Sequence, residues 1–112
     1  MKKLTLVVFF KCVTGFPSCF RFNIASYALL TCMIAHVCDL VPGEFVHVIG
    51  DAHVYLNHMR PLQEQLKKLP KPFPASILKI NPQKKDIDSF VAADFELIGY
   101  EPHQKIGMKM AV

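Results

Sequence analysis

The residues best suited to binding a ligand are concentrated between Gly50 and His58, in the sequence GDAHVYLNH. His53 and Tyr55 are two positions apart in what the alternation predicts to be a strand, so their side chains leave the same face. An imidazole and a phenol can both form hydrogen bonds while uncharged, and together they offer two neutral groups to one ligand. On residue types alone, the competing interpretation is a structural histidine at the edge of a strand.

A metal site is not predicted. His47, His53 and His58 would have to converge from a strand and from the start of a helix, and no helical H-x-x-x-H pair is present. The cysteines of the chain are Cys12, Cys19, Cys32 and Cys38. No two of them are spaced as C-x-x-C, so they are interpreted as reduced thiols rather than as zinc ligands or a redox motif.

Alternating apolar residues predict a long, kinked strand over residues 44–56. Its first part, EFVHVI, alternates regularly between two faces. The Gly50–Asp51 pair interrupts the alternation and predicts a bulge or kink, after which the strand resumes over 52–56.

The segment before this strand predicts a helix that is buried on most sides. From Phe22 to Leu40 the sequence is almost wholly apolar and carries no formal charge before Asp39. A helix that is apolar nearly all round is typical of the centre of a fold, and its few polar residues argue against a membrane span. Asp39, followed by Val41, Pro42 and Gly43, is expected to end it, because proline cannot continue a helix and glycine takes the turn.

The second half of the chain predicts an amphipathic helix followed by short strands. Helical spacing over 57–69 places four apolar residues on one side, with Asn57 as the N-cap and Pro61 in the first turn. PKPFP ends this helix, SILKI is a short strand, a second lies around 95–98, and KIGMKM alternates toward the terminus. This order of elements predicts a mixed α+β fold.

Composition restricts the chain to one small domain and argues against a nucleic-acid partner. The chain has 112 residues, of which 52% are hydrophobic, enough for one core but not for two. The net charge is +4, but the lysines alternate with acidic residues along the second half. A nucleic-acid-binding surface is typically a dense basic stripe, which this sequence lacks.

Residues 1–21 form an apolar leader that does not match the remainder. Two lysines precede an apolar run, as in a secretory signal, but Lys11 interrupts the run and no small-x-small cleavage site follows. The leader is expected to be strand-like or irregular and to find no folding partner within the chain. The predicted organisation is therefore this leader followed by a second segment, residues 22–112.

From residue 22 onward, the chain resembles the carboxy-terminal part of the thymidylate synthase family. The resemblance rests on blocks in order: FNIASYALLTCMIAHVCDL, GEFVHVIGDAHVYLNHMRPLQEQL, LPKPFP, LKINP, KKDIDSFVAADFELIGYEPH and MKMAV. The residues in these blocks are most similar to those of plant members, in which this domain usually forms the carboxy-terminal half of a bifunctional dihydrofolate reductase–thymidylate synthase. The fold implied is an incomplete α+β portion of the synthase fold, with the buried central helix, kinked strand, amphipathic helix and short strands predicted above.

The resemblance implies reductive methylation of dUMP to dTMP, with 5,10-methylenetetrahydrofolate as the donor of carbon and hydride and with no metal. It matches Asn23 to the residue that binds the uracil ring, and His53 and Tyr55 to the pair that holds the deoxyribose 3′-hydroxyl. The flexible terminus that closes over folate and nucleotide is matched by Met110, Ala111 and Val112.

The catalytic blocks of the family have no match in these residues. The family nucleophile lies in a Pro-Cys-His block and the phosphate is gripped by an arginine-serine-x-aspartate block, and neither occurs here. No catalytic residue is assigned, because Cys32 and Cys38 lack the cationic, partly open setting that activates a thiol. The chain is expected to be truncated, inactive by itself, and prone to aggregate unless a complete subunit covers its apolar helix.

Two other interpretations stay open. One is a non-catalytic fragment that docks on a full-length synthase subunit, since the resemblance implies a homodimeric family. The other is a secreted or membrane-tethered product of the leader and the apolar helix. The expected location is the cytoplasm or an organelle, and membrane binding is not predicted.

Overall fold

The computed structural model describes residues 2–10, 18–70 and 77–109, without the side chains of residues 9, 10 and 18–21. In order, the helices and strands are β1 (Lys3–Phe10), α1 (Ser18–Val37), β2 (Val41–Ile49), α2 (Met59–Lys67), β3 (Ile77–Ile80) and β4 (Phe95–Ile98). β1 and β2 form a parallel pair, and β3 and β4 form an antiparallel pair. The predicted α+β class is confirmed, and β3 and β4 lie where the sequence predicts them.

The amino-terminal segment supplies a strand to the fold. β1 pairs with β2 in parallel, with Leu6 opposite Phe45 and Phe10 opposite Ile49. The expectation that residues 1–21 find no folding partner in the chain is therefore wrong. The apolar, partly β-branched sequence of β1 favours an extended chain, and the edge of β2 offers it the hydrogen bonds that an extended backbone requires.

α1 connects the two parallel strands and covers one face of their sheet. It begins at Ser18, earlier than predicted, and so continues across the boundary expected after residue 21. The Tyr27 ring stacks on Phe45 of β2, with 6.4 Å between the ring centroids. The order β1, α1, β2 with parallel strands is a strand–helix–strand unit, the usual way to connect two parallel strands.

Burial of α1 increases from its start toward its end. Ala35 is fully buried, whereas Phe22 near its start is 77% exposed. Every residue from 27 to 37 is buried or half-buried, whereas Phe22, Ala25 and Ser26 are exposed, so the predicted burial on most sides is partly realised within the described residues. None of the described helices is long and apolar enough to cross a membrane.

α1 ends in a left-handed turn rather than at the proline and glycine. Asp39 has a φ of 53°, and the Leu40 amide donates a hydrogen bond to the Ala35 carbonyl at 2.8 Å. This is the hydrogen bond of a Schellman cap, which satisfies carbonyls left open at a helix end. Pro42 and Gly43 lie within β2, so the prediction that they end the helix is wrong.

β2 ends at Ile49, and the chain bends at Gly50 and Asp51 as predicted. The strand does not resume over 52–56, where the backbone is irregular apart from a single bridge residue, Val54. This part of the strand prediction is wrong because β1, the partner of β2, ends opposite Ile49, so the ladder stops there.

α2 follows a short 3-10 turn, Leu56–His58, and has an exposed surface. His58 is its N-cap residue and makes no side-chain capping bond, so the prediction of Asn57 as the N-cap is wrong. Pro61 lies in the first turn, as predicted. No residue of α2 is buried, and Leu66 on its apolar side is 81% exposed.

The connection from β3 to β4 is held together by one carboxylate. Asp94 accepts hydrogen bonds from the Asn81 side-chain amide and from the Val91 backbone amide, each at 2.9 Å. The Lys84 ammonium lies 3.8 Å from the same carboxylate. These four residues are called the Asp94 cluster below.

Candidate functional site

His53 and Tyr55 lie side by side directly after the bend that ends β2. Their ring centroids are 5.7 Å apart and the ring planes are inclined by 77°, an edge-to-face arrangement. Both side chains are half-buried, and within the part of the chain that the structure describes neither makes a hydrogen bond. Two adjacent polar groups that no protein atom uses can both be offered to one polar ligand. The structure brings these two predicted residues together, on an irregular segment instead of a strand.

His58 extends the pair into a row of three rings. The centroids of Tyr55 and His58 are 5.6 Å apart, again in an edge-to-face contact. His58 is only 2% exposed, and its Nε2–H donates a hydrogen bond to the Lys109 carbonyl at 2.7 Å. Because a carbonyl can only accept, the hydrogen must reside on Nε2. Sequence reasoning considered His58 only as a metal ligand; its place at a helix start does not predict a partner 51 residues away.

The other predicted site residues are not joined to this row. Asn23 lies in the first third of α1 and is half-buried. No hydrogen bond or ring contact connects it to His53 or Tyr55 in the described ranges. The predicted closing tail, formed by Met110, Ala111 and Val112, lies outside the described residues.

The two cysteines whose side chains are described differ in their surroundings. Cys32 on α1 is partly buried, and this burial raises the pKa of its thiol above the ordinary value. A raised pKa keeps the group a thiol near neutral pH, the opposite of what a nucleophile needs. Cys38 is an exposed free cysteine in the turn after α1. In residues 2–10, 18–70 and 77–109, no three metal-ligating side chains are grouped to hold a metal ion.

A polar groove of about 320 Å³ lies between α2 and the segment that leads to the carboxy terminus. The charged residues that line it are Arg60, Glu64, Lys68 and Lys105. Sequence reasoning missed this groove, because Lys105 is far from α2 in the chain and reaches it only through the tertiary fold. The groove is open to solvent. Neither His53 nor Tyr55 is among the residues that line it.

Comparison with known proteins gives one consistent family. The family model described as thymidylate synthase matches residues 15–112. Over 91 residues, 81% of this chain, the sequence is 80% identical to the bifunctional dihydrofolate reductase-thymidylate synthase of Glycine max. Over the same share of this chain it is 80% identical to bifunctional dihydrofolate reductase-thymidylate synthase 2 of Arabidopsis thaliana and 57% identical to the thymidylate synthase of Homo sapiens.

The chain therefore belongs to the thymidylate synthase family. Its matched part spans 17% of the Glycine max protein, 16% of the Arabidopsis thaliana protein and 28% of the human protein. The family match begins at residue 15, before the start of the resemblance at Phe22.

Proposed function

We propose that this chain carries the sugar-binding side chains of a thymidylate synthase, whose reaction converts dUMP to dTMP. His53 and Tyr55 hold the deoxyribose 3′-hydroxyl, and Asn23 binds the uracil ring. The single observation that supports this best is the adjacent, half-buried His53–Tyr55 pair with unused hydrogen-bonding groups. A hydroxyl group can donate to one of these side chains and accept from the other, so it matches the pair in both directions.

The proposed contacts involve no charge on the protein side, and this limits the expected affinity for dUMP. Hydrogen bonds to a charged phosphate are roughly twice as strong as neutral ones, and the arginine-containing phosphate block has no match in these residues. We therefore expect a Kd for dUMP of about 1 mM or higher, which corresponds to a binding free energy of about −4 kcal/mol or one closer to zero.

A chemical-shift titration of the 112-residue chain with dUMP tests the proposed site. Signals of His53 and Tyr55 should move together, and Tyr55→Phe should weaken the response because it removes one hydroxyl. Tyr100→Phe is the matched control, since Tyr100 is 61% exposed and lies outside the proposed site. Micromolar binding that survives both His53→Ala and Asn23→Ala would place the nucleotide elsewhere.

The family's co-substrate, 5,10-methylenetetrahydrofolate, supplies carbon and hydride in the proposed reaction. These 112 residues contain no Pro-Cys-His block, and the Cys32 thiol is held in its unreactive form by its raised pKa. The chain alone is thus expected to form no dTMP from dUMP and the folate. A turnover assay checks this, and measurable dTMP that disappears in Cys38→Ser would assign the exposed cysteine as the nucleophile.

A second candidate function is docking on a complete synthase subunit. The face of the β1–β2 sheet that points away from α1 exposes Val7, Val46 and Val48, which are 62%, 38% and 36% accessible. Parallel strands are nearly always covered on both faces, so an apolar second face favours a protein partner. This face is a second reason, besides the apolar helix, to expect that the chain aggregates by itself.

Light scattering of the chain mixed with the Glycine max synthase tests the docking function. A mixed complex should form, and Val46→Asp should prevent it because it places a charge in the apolar face. Val54→Asp is the control, since Val54 is similarly exposed at 47% but lies beyond the end of β2. A monodisperse, monomeric chain that does not bind the synthase would exclude the docking function.

A further inference from the structure

Two histidines tie the same carboxy-terminal segment to opposite ends of α2. Beyond the carboxyl end of α2, the Nε2–H of His103 donates a hydrogen bond to the Leu69 carbonyl at 2.8 Å. Just before α2 begins, the Nε2–H of His58 donates to the Lys109 carbonyl at 2.7 Å. The segment 103–109 therefore runs antiparallel to the helix, with one histidine bond at each end.

The lengths of the two elements are compatible with an extended segment. The nine residues of α2 rise ~1.5 Å each, or ~13.5 Å in total, and the turn and the last residues before Leu69 add to this distance. The six steps from 103 to 109 span ~20 to 22 Å when fully extended, at ~3.3 to 3.6 Å each.

The side chains of the segment alternate in the way that an extended chain requires. Ile106 and Met108 are half-buried, whereas Lys105 and Gly107 between and before them are exposed. The alternation predicted for KIGMKM is thus present over residues 105–109, although no described strand pairs with them. Apolar contact on one side and the two histidine bonds at the ends hold the segment in this conformation, and the polar groove lies along it.

We propose that His58 and His103 are positioning residues, which clamp the segment 103–109 along α2 and so fix Lys109 beside Tyr55. His58 carries the larger share because it is 2% exposed, so its bond does not compete with water. His103 is exposed, and water can replace its bond at little cost. If the proposed function holds, the clamp also fixes Lys109 at His58, whose ring contacts Tyr55 of the sugar-binding pair.

The test uses trypsin, because the carbonyl that His58 binds belongs to the peptide bond that trypsin would cut. Cleavage between Lys109 and Met110 requires the Lys109 carbonyl to leave His58 and enter the protease. Cleavage after Lys79, inside β3, requires unfolding and provides an internal reference for general stability. Mass spectrometry of the full 112-residue chain gives the ratio of the two rates, without any nucleotide present.

Two substitutions of His58 separate its hydrogen bond from its size. His58→Phe keeps a ring and removes the donor, and we expect the cleavage ratio to rise about tenfold, the effect of a buried hydrogen bond of ~1.4 kcal/mol. His58→Gln places an amide N–H near the position of Nε2 and should restore the ratio to within about twofold of the unsubstituted chain. His103→Phe should raise the ratio less than His58→Phe.

His53→Phe is the matched control, since His53 belongs to the same row of rings but does not contact the segment in the described residues. It should leave the ratio unchanged while it weakens any response to dUMP. The clamp is contradicted if His58→Phe leaves the ratio unchanged, or if His58→Gln is cut as fast as His58→Phe. Failure of the proposed function would appear in the dUMP titration alone, so the two results are distinguishable.

Discussion

The Asp94 cluster and the His53–Tyr55 pair are both groups of polar side chains beside short strands, but their hydrogen bonds are arranged in opposite ways. Both oxygens of Asp94 accept hydrogen bonds at 2.9 Å, one from Asn81 and one from the Val91 amide. His53 and Tyr55 touch by their ring edges, with centroids 5.7 Å apart, and leave their polar atoms unused within the described residues.

This difference separates a polar group that stabilises the fold from one that is available to a ligand. The hydrogen bond from the Val91 amide, then that from Asn81, holds the pKa of Asp94 below its ordinary value of 3.8, with a smaller contribution from the Lys84 charge. A satisfied network of this kind fixes the local structure. The His53–Tyr55 pair makes no such hydrogen bonds in the described residues, so its polar atoms stay available to a ligand.

Gly43→Ala is expected to have the largest effect on stability. Gly43 lies in β2, the strand that leads to the His53–Tyr55 pair, and not in the Asp94 cluster. A Cβ at Gly43 would lie 2.8 Å from the Leu4 carbonyl oxygen, so β1 and β2 would have to separate. We expect a loss of about 2 kcal/mol in the free energy of unfolding, as for other overpacked sites. Thermal unfolding measures it, with Gly107→Ala as the control, because no atom lies within 4 Å of a Cβ there. Equal stability of the two variants would show that β1 does not pair with β2.

Asp94→Ala should destabilise the β3–β4 region by a smaller amount. The substitution leaves the Val91 amide and the Asn81 side chain without their acceptor. We expect the Tm to fall by roughly 5 °C, from the loss of two hydrogen bonds in a small domain. Asp51→Ala, at an exposed aspartate in the bend after β2, is the control and should leave the Tm unchanged. If both variants have the same Tm, the Asp94 cluster is not a stabilising feature.

Acid should remove the contribution of the Asp94 carboxylate to the stability of the fold. Because its pKa is lower in the folded chain than the ordinary 3.8, the carboxylate stabilises the fold fully above that pH. The contribution is lost as the pH falls through the lower, folded-state pKa. The difference in Tm between the unsubstituted chain and Asp94→Asn should therefore be constant near neutral pH and shrink below pH 3.8. A difference that grows on acidification would contradict the cause assigned to the pKa shift.

His53→Phe and Tyr55→Phe should have the smallest effects on stability. Each keeps an aromatic ring in the edge-to-face contact and removes a polar atom that has no hydrogen bond in the described structure. We expect the free energy of unfolding to change by less than about 0.5 kcal/mol. Denaturant unfolding measures the change, and a large loss in either variant would mean that the pair is structural after all.

Local pattern predicted most of the elements in the chain. The short strands, the bend at Gly50 and Asp51, and an amphipathic helix with Pro61 in its first turn follow from alternation, helical spacing and turn residues. The end of α1 was placed wrongly because the left-handed conformation of Asp39 ended the helix before Pro42 could. Proline at the start of an edge strand causes no conflict with pairing.

The parts that could not be predicted depend on contacts between distant residues. Pairing of β1 with β2 joins residues separated by the whole of α1, and the end of that pairing sets the end of β2. The partner of His58 is 51 residues away. His53 and Tyr55 were found from the sequence because their spacing is local, whereas the place of Asn23 relative to them depends on packing that spacing does not reveal.

The most direct test of the proposed sugar-binding role compares dUMP with its analogue that lacks the 3′-hydroxyl. Both nucleotides are titrated into the unsubstituted chain and into the His53→Phe/Tyr55→Phe double variant, and binding is followed by chemical shifts. We predict that loss of the 3′-hydroxyl weakens binding about tenfold in the unsubstituted chain, equivalent to ~1.4 kcal/mol, and has no effect in the double variant. Equal weakening in both chains, or none in the unsubstituted chain, would show that the His53–Tyr55 pair does not hold the sugar.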